Sequence, residues 1–153
     1  MKTALASRFG FLVNDVGRQY SQQFDRLARE RLGLSQAQCR LLAALAWHEG
    51  DAPLSQSELA QKLGLTPMAV ATMCDRLAAA GWIERRAHPE DRRINHLHIK
   101  PSARKALERA MAVGDELTGR ALAGLTAAER TQLLSLLAKA RHGLLALDEE
   151  ARA

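Results

Sequence analysis

Residues 54–100 read LSQSELAQKLGLTPMAVATMCDRLAAAGWIERRAHPEDRRINHLHIK, and this stretch decides the fold. Ser55 with Glu58 three residues on forms a capping box, and Leu54 and Leu59 are placed to close a hydrophobic staple over it. The short helix opened there ends at Gly64, a residue that takes the left-handed conformation at little steric cost. Thr66 caps a second helix, Pro67 occupies its first position, where a missing N–H costs nothing, and Leu65 and Val70 repeat the staple. Two helices joined by so tight a turn cross steeply, as a helix-turn-helix. On the second, Val70, Cys74 and Leu77 share one stripe, while Met68, Ala69, Thr72 and Arg76 fall nearer the opposite face. That face is small and mostly uncharged, which suits close approach to thymine methyls and base edges in a major groove.

After Gly81 the apolar period changes from 3.6 to 2. Ile83, Arg85 and Ala87 alternate with Glu84 and Arg86, and Leu97 and Ile99 alternate with His96, His98 and Lys100, so both runs suit half-buried strands. Between them His88-Pro89-Glu90-Asp91-Arg92-Arg93 favours a turn with paired arginines at or near its tip. Such a hairpin fits the narrow, electronegative minor groove. An ordinary solvated charged turn is the competing reading, because Glu84, Glu90 and Asp91 nearly balance the arginines; the adjoining helix-turn-helix favours the nucleic-acid reading.

The run from Ser55 to Arg93 resembles the winged helix-turn-helix of the MarR (multiple antibiotic resistance regulator) family. The resemblance rests on Asp75-Arg76-Leu77 through Gly81-Trp82-Ile83 and on Asp91-Arg92-Arg93, which match the family's D-R-L-x-x-x-G-hydrophobic-hydrophobic stretch and its acidic-x-Arg wing. The upstream LGLSQAQCRLLAAL matches the family's second helix. In one place the chain departs: where the family has Leu-Thr-x-x-Gly after the wing, this sequence has Ile99-Lys100-Pro101-Ser102-Ala103-Arg104, a weaker cap for the next helix.

The flanks read as support for the winged segment. Leu5, Phe9, Leu12, Val16, Tyr20, Phe24 and Leu27 recur at steps of three and four and predict one helix from about Ala4 to Arg31, broken by Gly33 and Leu34. Ser35 with Gln38 opens a helix whose Leu41, Leu42, Leu45 and Trp47 are expected to face inward, until Gly50 and Pro53 stop it. Beyond the wing, Ala106, Leu107, Ala110, Met111, Val113 and Leu117 define a helix from about Pro101 to Ala123. Thr126 and Glu129 cap a last helix, whose Leu133, Leu134, Leu136, Leu137, Leu144 and Leu145 cover more of its circumference than a surface helix needs. The expected architecture is mainly α with a small β-hairpin wing: a winged helix-turn-helix over 35–100, with residues 1–34 and 101–153 as a helical dimerisation region, in one intertwined domain. An isologous homodimer would cover the surplus leucines, and the family resemblance implies the same.

A chain of 153 residues with 47% hydrophobic content can bury one modest core and is short for two independent domains. Net charge of +5 permits an anionic partner without naming one, and the positive balance sits in the N-terminal arm and the winged segment rather than beyond residue 100. No stretch approaches a membrane span and no signal-peptide core precedes Arg8, so a cytoplasmic protein with no membrane partner is expected. Cys39 and Cys74 are too few for a disulfide framework and fall on apolar helix positions, which makes them small buried hydrophobes before redox sensors. His96 and His98 share a strand face but lack a third ligand at metal spacing, and no phosphate loop, nucleophile elbow or carboxylate pair appears. Neither an enzyme nor a cofactor or metal is expected.

Together these readings give a sequence-specific regulator of double-stranded DNA, most simply a repressor acting as a homodimer on a near-palindromic operator. Thr66, Met68, Ala69 and Thr72 are candidates for base-edge and phosphate contacts, Arg76 for a phosphate or base, and Arg92 for the minor groove. Arg93 is either a second wing contact or, as the resemblance implies, paired with Asp91 or Asp75. Ser55 and Gln56 are candidates to offer backbone N–H groups to phosphate. The resemblance also implies release by a small aromatic or phenolic effector, for which Asn14, Arg18, Trp47 and His48 are the candidate groups. The alternatives are a winged-helix protein-interaction module and a redox- or metal-responsive regulator.

Overall fold

The computed structural model describes residues 7–48, 54–87 and 95–151. Among them the order of elements is α1 (Phe9–Leu32), α2 (Gln36–Trp47), α3 (Gln56–Leu63), α4 (Pro67–Ala79), β1 (Ile83–Ala87), β2 (Asn95–Ile99), α5 (Pro101–Ala121) and α6 (Ala127–Glu150). The chain divides into two compact units, Met1–Asp115 and Glu116–Ala153.

Local chemistry sets the helix ends where the sequence places them. Ser35, Ser55 and Thr126 each accept from the N–H three residues on, while Gln38, Glu58 and Glu129 return the bond to the cap's own N–H, so three capping boxes close as expected. Thr66 caps α4 by accepting from Ala69 N–H at 3.2 Å, with Pro67 inside the first turn. Gly33 and Gly64 end α1 and α3 with φ of 68° and 64°. Three carboxylates held in this way titrate below their ordinary range: Glu58 and Glu129 through their caps' N–H and hydroxyl groups, and Asp25 through Arg29 and then the Gln36 N–H.

The first unit's core gathers Leu41 and Leu42 of α2, Leu59 of α3, Val70, Cys74 and Leu77 of α4, Ile83 and Leu97 of the hairpin, and Ala103 and Ala106 of α5. Both staple leucines, Leu54 and Leu65, are half-buried against it. The strands pair antiparallel with Ile83 opposite Ile99 and Arg85 opposite Leu97. Leu97 N–H also donates to Leu54 O at 3.1 Å and Ser55 bridges His96, so the residues entering α3 add a short third edge to the hairpin. One bridge has no alternation, and the sequence carries no sign of it. Cys39 and Cys74 are both buried and free, as small hydrophobes.

Four expectations need correction or fall outside the description. Helix α1 begins at Phe9 rather than Ala4: Arg8 has extended backbone at φ −73° and ψ 140°, and residue 4 lies outside the described residues. Trp47 does not face inward but is 88% exposed. It lies two residues past Leu45, roughly 200° around the helix, and so points away from the stripe of Leu41, Leu42 and Leu45. Gly50 and Pro53, expected to stop α2, and His88 to Arg93, with both wing-tip arginines, lie outside the described residues. Among the described residues no helix is long and apolar enough to cross a membrane.

Candidate nucleic-acid interface

The second helix of the helix-turn-helix is buried along one stripe and open along the other. Val70, Cys74 and Leu77 are fully buried, whereas Thr66, Met68, Thr72 and Arg76 are exposed and Ala69 is half-buried. Met68 is the extreme case at 80% exposure. An unbranched thioether is thus held in water at the first turn of the helix. Thr72 donates its hydroxyl proton to Met68 O at 3.0 Å, which keeps that side chain close against the helix. Thr66 Oγ1 accepts from Ala69 N–H, leaving its hydroxyl proton to donate outward.

At the start of α3 the capping box changes what can meet a phosphate. Ser55 N–H donates to Glu58 Oε2 at 2.7 Å and Glu58 N–H donates to Ser55 Oγ at 3.3 Å. Ser55 therefore has no backbone N–H to offer, and the bridge between Ser55 and His96 turns the next one, that of Gln56, toward the hairpin. The Gln56 side chain turns inward: its Nε2 is buried without a hydrogen bond, close enough to Cys74 to favour the thiolate. Burial outweighs that pull and raises the Cys74 thiol above its ordinary range.

Behind the recognition helix stands a charged pair that the sequence reading did not assign. Arg85 of β1 donates to Asp75 Oδ1 of α4 at 2.6 Å. Asp75 thus has a partner in Arg85, while Arg93, the candidate named for it above, lies outside the described residues. The available signal was Arg85's place two residues after the buried Ile83, which puts it on the inward side of the strand. Next to it Arg86 pairs with Glu84 along the strand.

The four residues expected to hold an effector are not brought into one cavity. Asn14 donates to Gly10 O at 2.9 Å and Arg18 pairs with Asp15, both along the exposed side of α1. His48 Nδ1 lies 2.9 Å from Ala44 O, and Trp47 is in water. A different cleft of about 280 Å³ opens between α1, α2 and α5, lined by Tyr20, Phe24, Gln36, Cys39, Arg40, Ala43, Leu107, Ala110, Met111 and Gly114. Tyr20 donates to Gly114 O across it at 3.2 Å. Burial, and then the charge of Asp25, push the Cys39 thiol up to about 11, so it lines the cleft as a neutral group. Among the described residues no three histidine, cysteine or carboxylate side chains are placed to share a metal ion.

The same fold recurs in known proteins. The MarR family model matches residues 32–94. The HTH-type transcriptional regulator YdgJ of Bacillus subtilis is 30% identical over 112 residues, which span 73% of this chain and 66% of that one. The chain belongs to the MarR family. Its relatives include the HTH-type transcriptional repressor MdtR of Bacillus subtilis, 29% identical over 134 residues and 84% of each chain. Wild-type MarR of Escherichia coli superposes with a TM-score of 0.76 at 26% identity, over 87% of this chain and 96% of that one. MepR of Staphylococcus aureus in complex with DNA has the same fold, with a TM-score of 0.72 at 22% identity over 89% and 98%. As a MarR-family protein the chain is a helix-turn-helix transcriptional regulator that acts on DNA and not an enzyme.

Proposed function

We propose that this MarR-family chain is a repressor that binds a near-palindromic operator as a homodimer and leaves it when a small aromatic or phenolic ligand binds. The observation that carries the reading is the exposed face of α4, where Met68, Thr72 and Arg76 stand in water on a helix whose other side is fully buried. Thr66, Met68, Ala69, Thr72 and Arg76 meet base edges and phosphates in the major groove. Arg92 and Arg93, outside the described residues, serve the minor groove beside it. The repressor name of MdtR supports repression as the mode.

Two apolar surfaces support the dimer. Phe9, Phe11, Leu12, Val13 and Val16 are exposed near the start of α1, and Leu134, Leu136, Leu137, Leu144, Leu145 and Leu147 are exposed along α6. Runs of exposed apolar side chains on this scale mark interaction surfaces, and a second copy of the chain covers both under an isologous two-fold. Residues 1–34 and 101–153 then dimerise while 35–100 read DNA, in the cytoplasm. The effector reading moves from Asn14, Arg18, Trp47 and His48 to the cleft beside Tyr20 and Phe24, where Arg40 and Gln36 supply polar groups at the rim of an apolar lining.

Sedimentation of the protein with a duplex that it has itself selected from a randomised pool tests this reading. Two chains per duplex are expected, with a Leu137→Glu variant shifted toward monomer and bound more weakly. Titrating benzoate and simple phenols into the complex is expected to free the duplex. One chain per duplex, or a complex indifferent to every aromatic acid and phenol tried, would contradict the proposal.

A further inference from the structure

The ion pairs of Arg18, Arg26 and Arg29 join residues three or four apart on one helix. The pair between Arg85 and Asp75 joins two elements, the recognition helix and the first strand of the wing, at 2.6 Å. Arg85 lies opposite the buried Leu97 in the ladder, and its side chain is 31% exposed, against 64% for neighbouring Arg86. Asp75, at 68% exposure, stands between the buried Cys74 and Arg76, one turn beyond Thr72 on the same helix.

A carboxylate in this place is unexpected on a surface meant for phosphates, which it would repel. Pairing with Arg85 neutralises it. We propose that Asp75 and Arg85 form a brace fixing the recognition helix against the root of the wing, which makes Arg85 a positioning residue for DNA recognition and not a phosphate contact. The inference rests on the DNA-reading function proposed above. Exposed ion pairs contribute little to fold stability, so the brace matters through geometry: it sets the distance between what enters the major groove and what reaches the minor groove.

The sign of one substitution separates a brace from a field effect. If only the field mattered, Asp75→Asn would remove a repulsive charge and tighten binding. The brace predicts that Asp75→Asn weakens it. Fluorescence anisotropy on a duplex selected by the wild-type protein, over a salt series, is expected to show about tenfold weaker binding for Asp75→Asn and for Arg85→Gln. The double variant should be no weaker than either single one, because the two side chains act as one unit. The salt slope should stay at the wild-type value, and thermal melting should move little. Tighter binding by Asp75→Asn, or a slope lowered by about one unit in Arg85→Gln, would overturn the brace and make Arg85 a phosphate contact. Failure of the wild-type protein to select any duplex would instead bring down the DNA-reading function, and the brace with it.

Discussion

Cys39 shows how much a residue's surroundings decide its chemistry. Its thiol lies on α2 against the cleft, and burial followed by the nearby Asp25 charge raises it to about 11, from 9.0 in an open chain. A thiol in that state is a poor nucleophile at neutral pH, so it is expected to resist Ellman's reagent in the folded protein and to react once the chain unfolds. The same shift carries a stability signature. Between pH 9 and 11 the unfolded chain gives up the Cys39 proton while the folded chain keeps it, so stability falls as pH rises through that window, by about 2 to 3 kcal/mol. Urea denaturation at pH 8 and pH 11 checks this. A Cys39→Ala variant should start less stable and lose less over the same interval; an identical loss in both proteins would assign the alkaline effect to other groups.

At the scale of elements the helix-turn-helix is held by short-range signals. Gly64 has φ 64°, and no atom stands where its Cβ would go. Gly64→Ala therefore meets only the backbone penalty of the left-handed conformation, about 1 to 2 kcal/mol, and the midpoint of urea unfolding should fall accordingly. No change would mean that the turn relaxes to negative φ. The same locality explains what could be read from the sequence. Ser35 with Gln38, Ser55 with Glu58 and Thr126 with Glu129 were visible because each box is complete within four residues, and the wing strands because alternation is local too. What depended on distant parts of the chain was hidden. Trp47 belonged to an apolar run, yet the core lies along Leu41, Leu42 and Leu45 and leaves the indole in water. The Leu54 link to Leu97 and the Arg85 link to Asp75 join residues that no sequence period relates. The recognition face was legible because it is the complement of a buried stripe; the cleft was not, because Tyr20, Arg40 and Met111 come from three helices.

For the molecule as a whole, the distribution of apolar surface and charge frames the function. The fully buried leucines, valine and isoleucine sit under the winged half, while the exposed leucines gather on α6 and the exposed phenylalanines on α1. A regulator that reads a two-fold operator needs both kinds of surface: a rigid lobe that presents one helix and a second surface that doubles it. The net charge of +5 draws the protein to any duplex in a salt-dependent way, and so does not by itself establish recognition. Recognition is the excess over that background. It is measured most directly by fluorescence anisotropy on a duplex from the chain's own upstream intergenic region against a scrambled duplex of equal length, repeated from low to high salt. The account predicts a preference of about 10³ or more for the native duplex that survives at physiological salt, with an Arg76→Ala variant losing about 1 to 3 kcal/mol of it. Equal, weak binding to both duplexes across the whole series would contradict it.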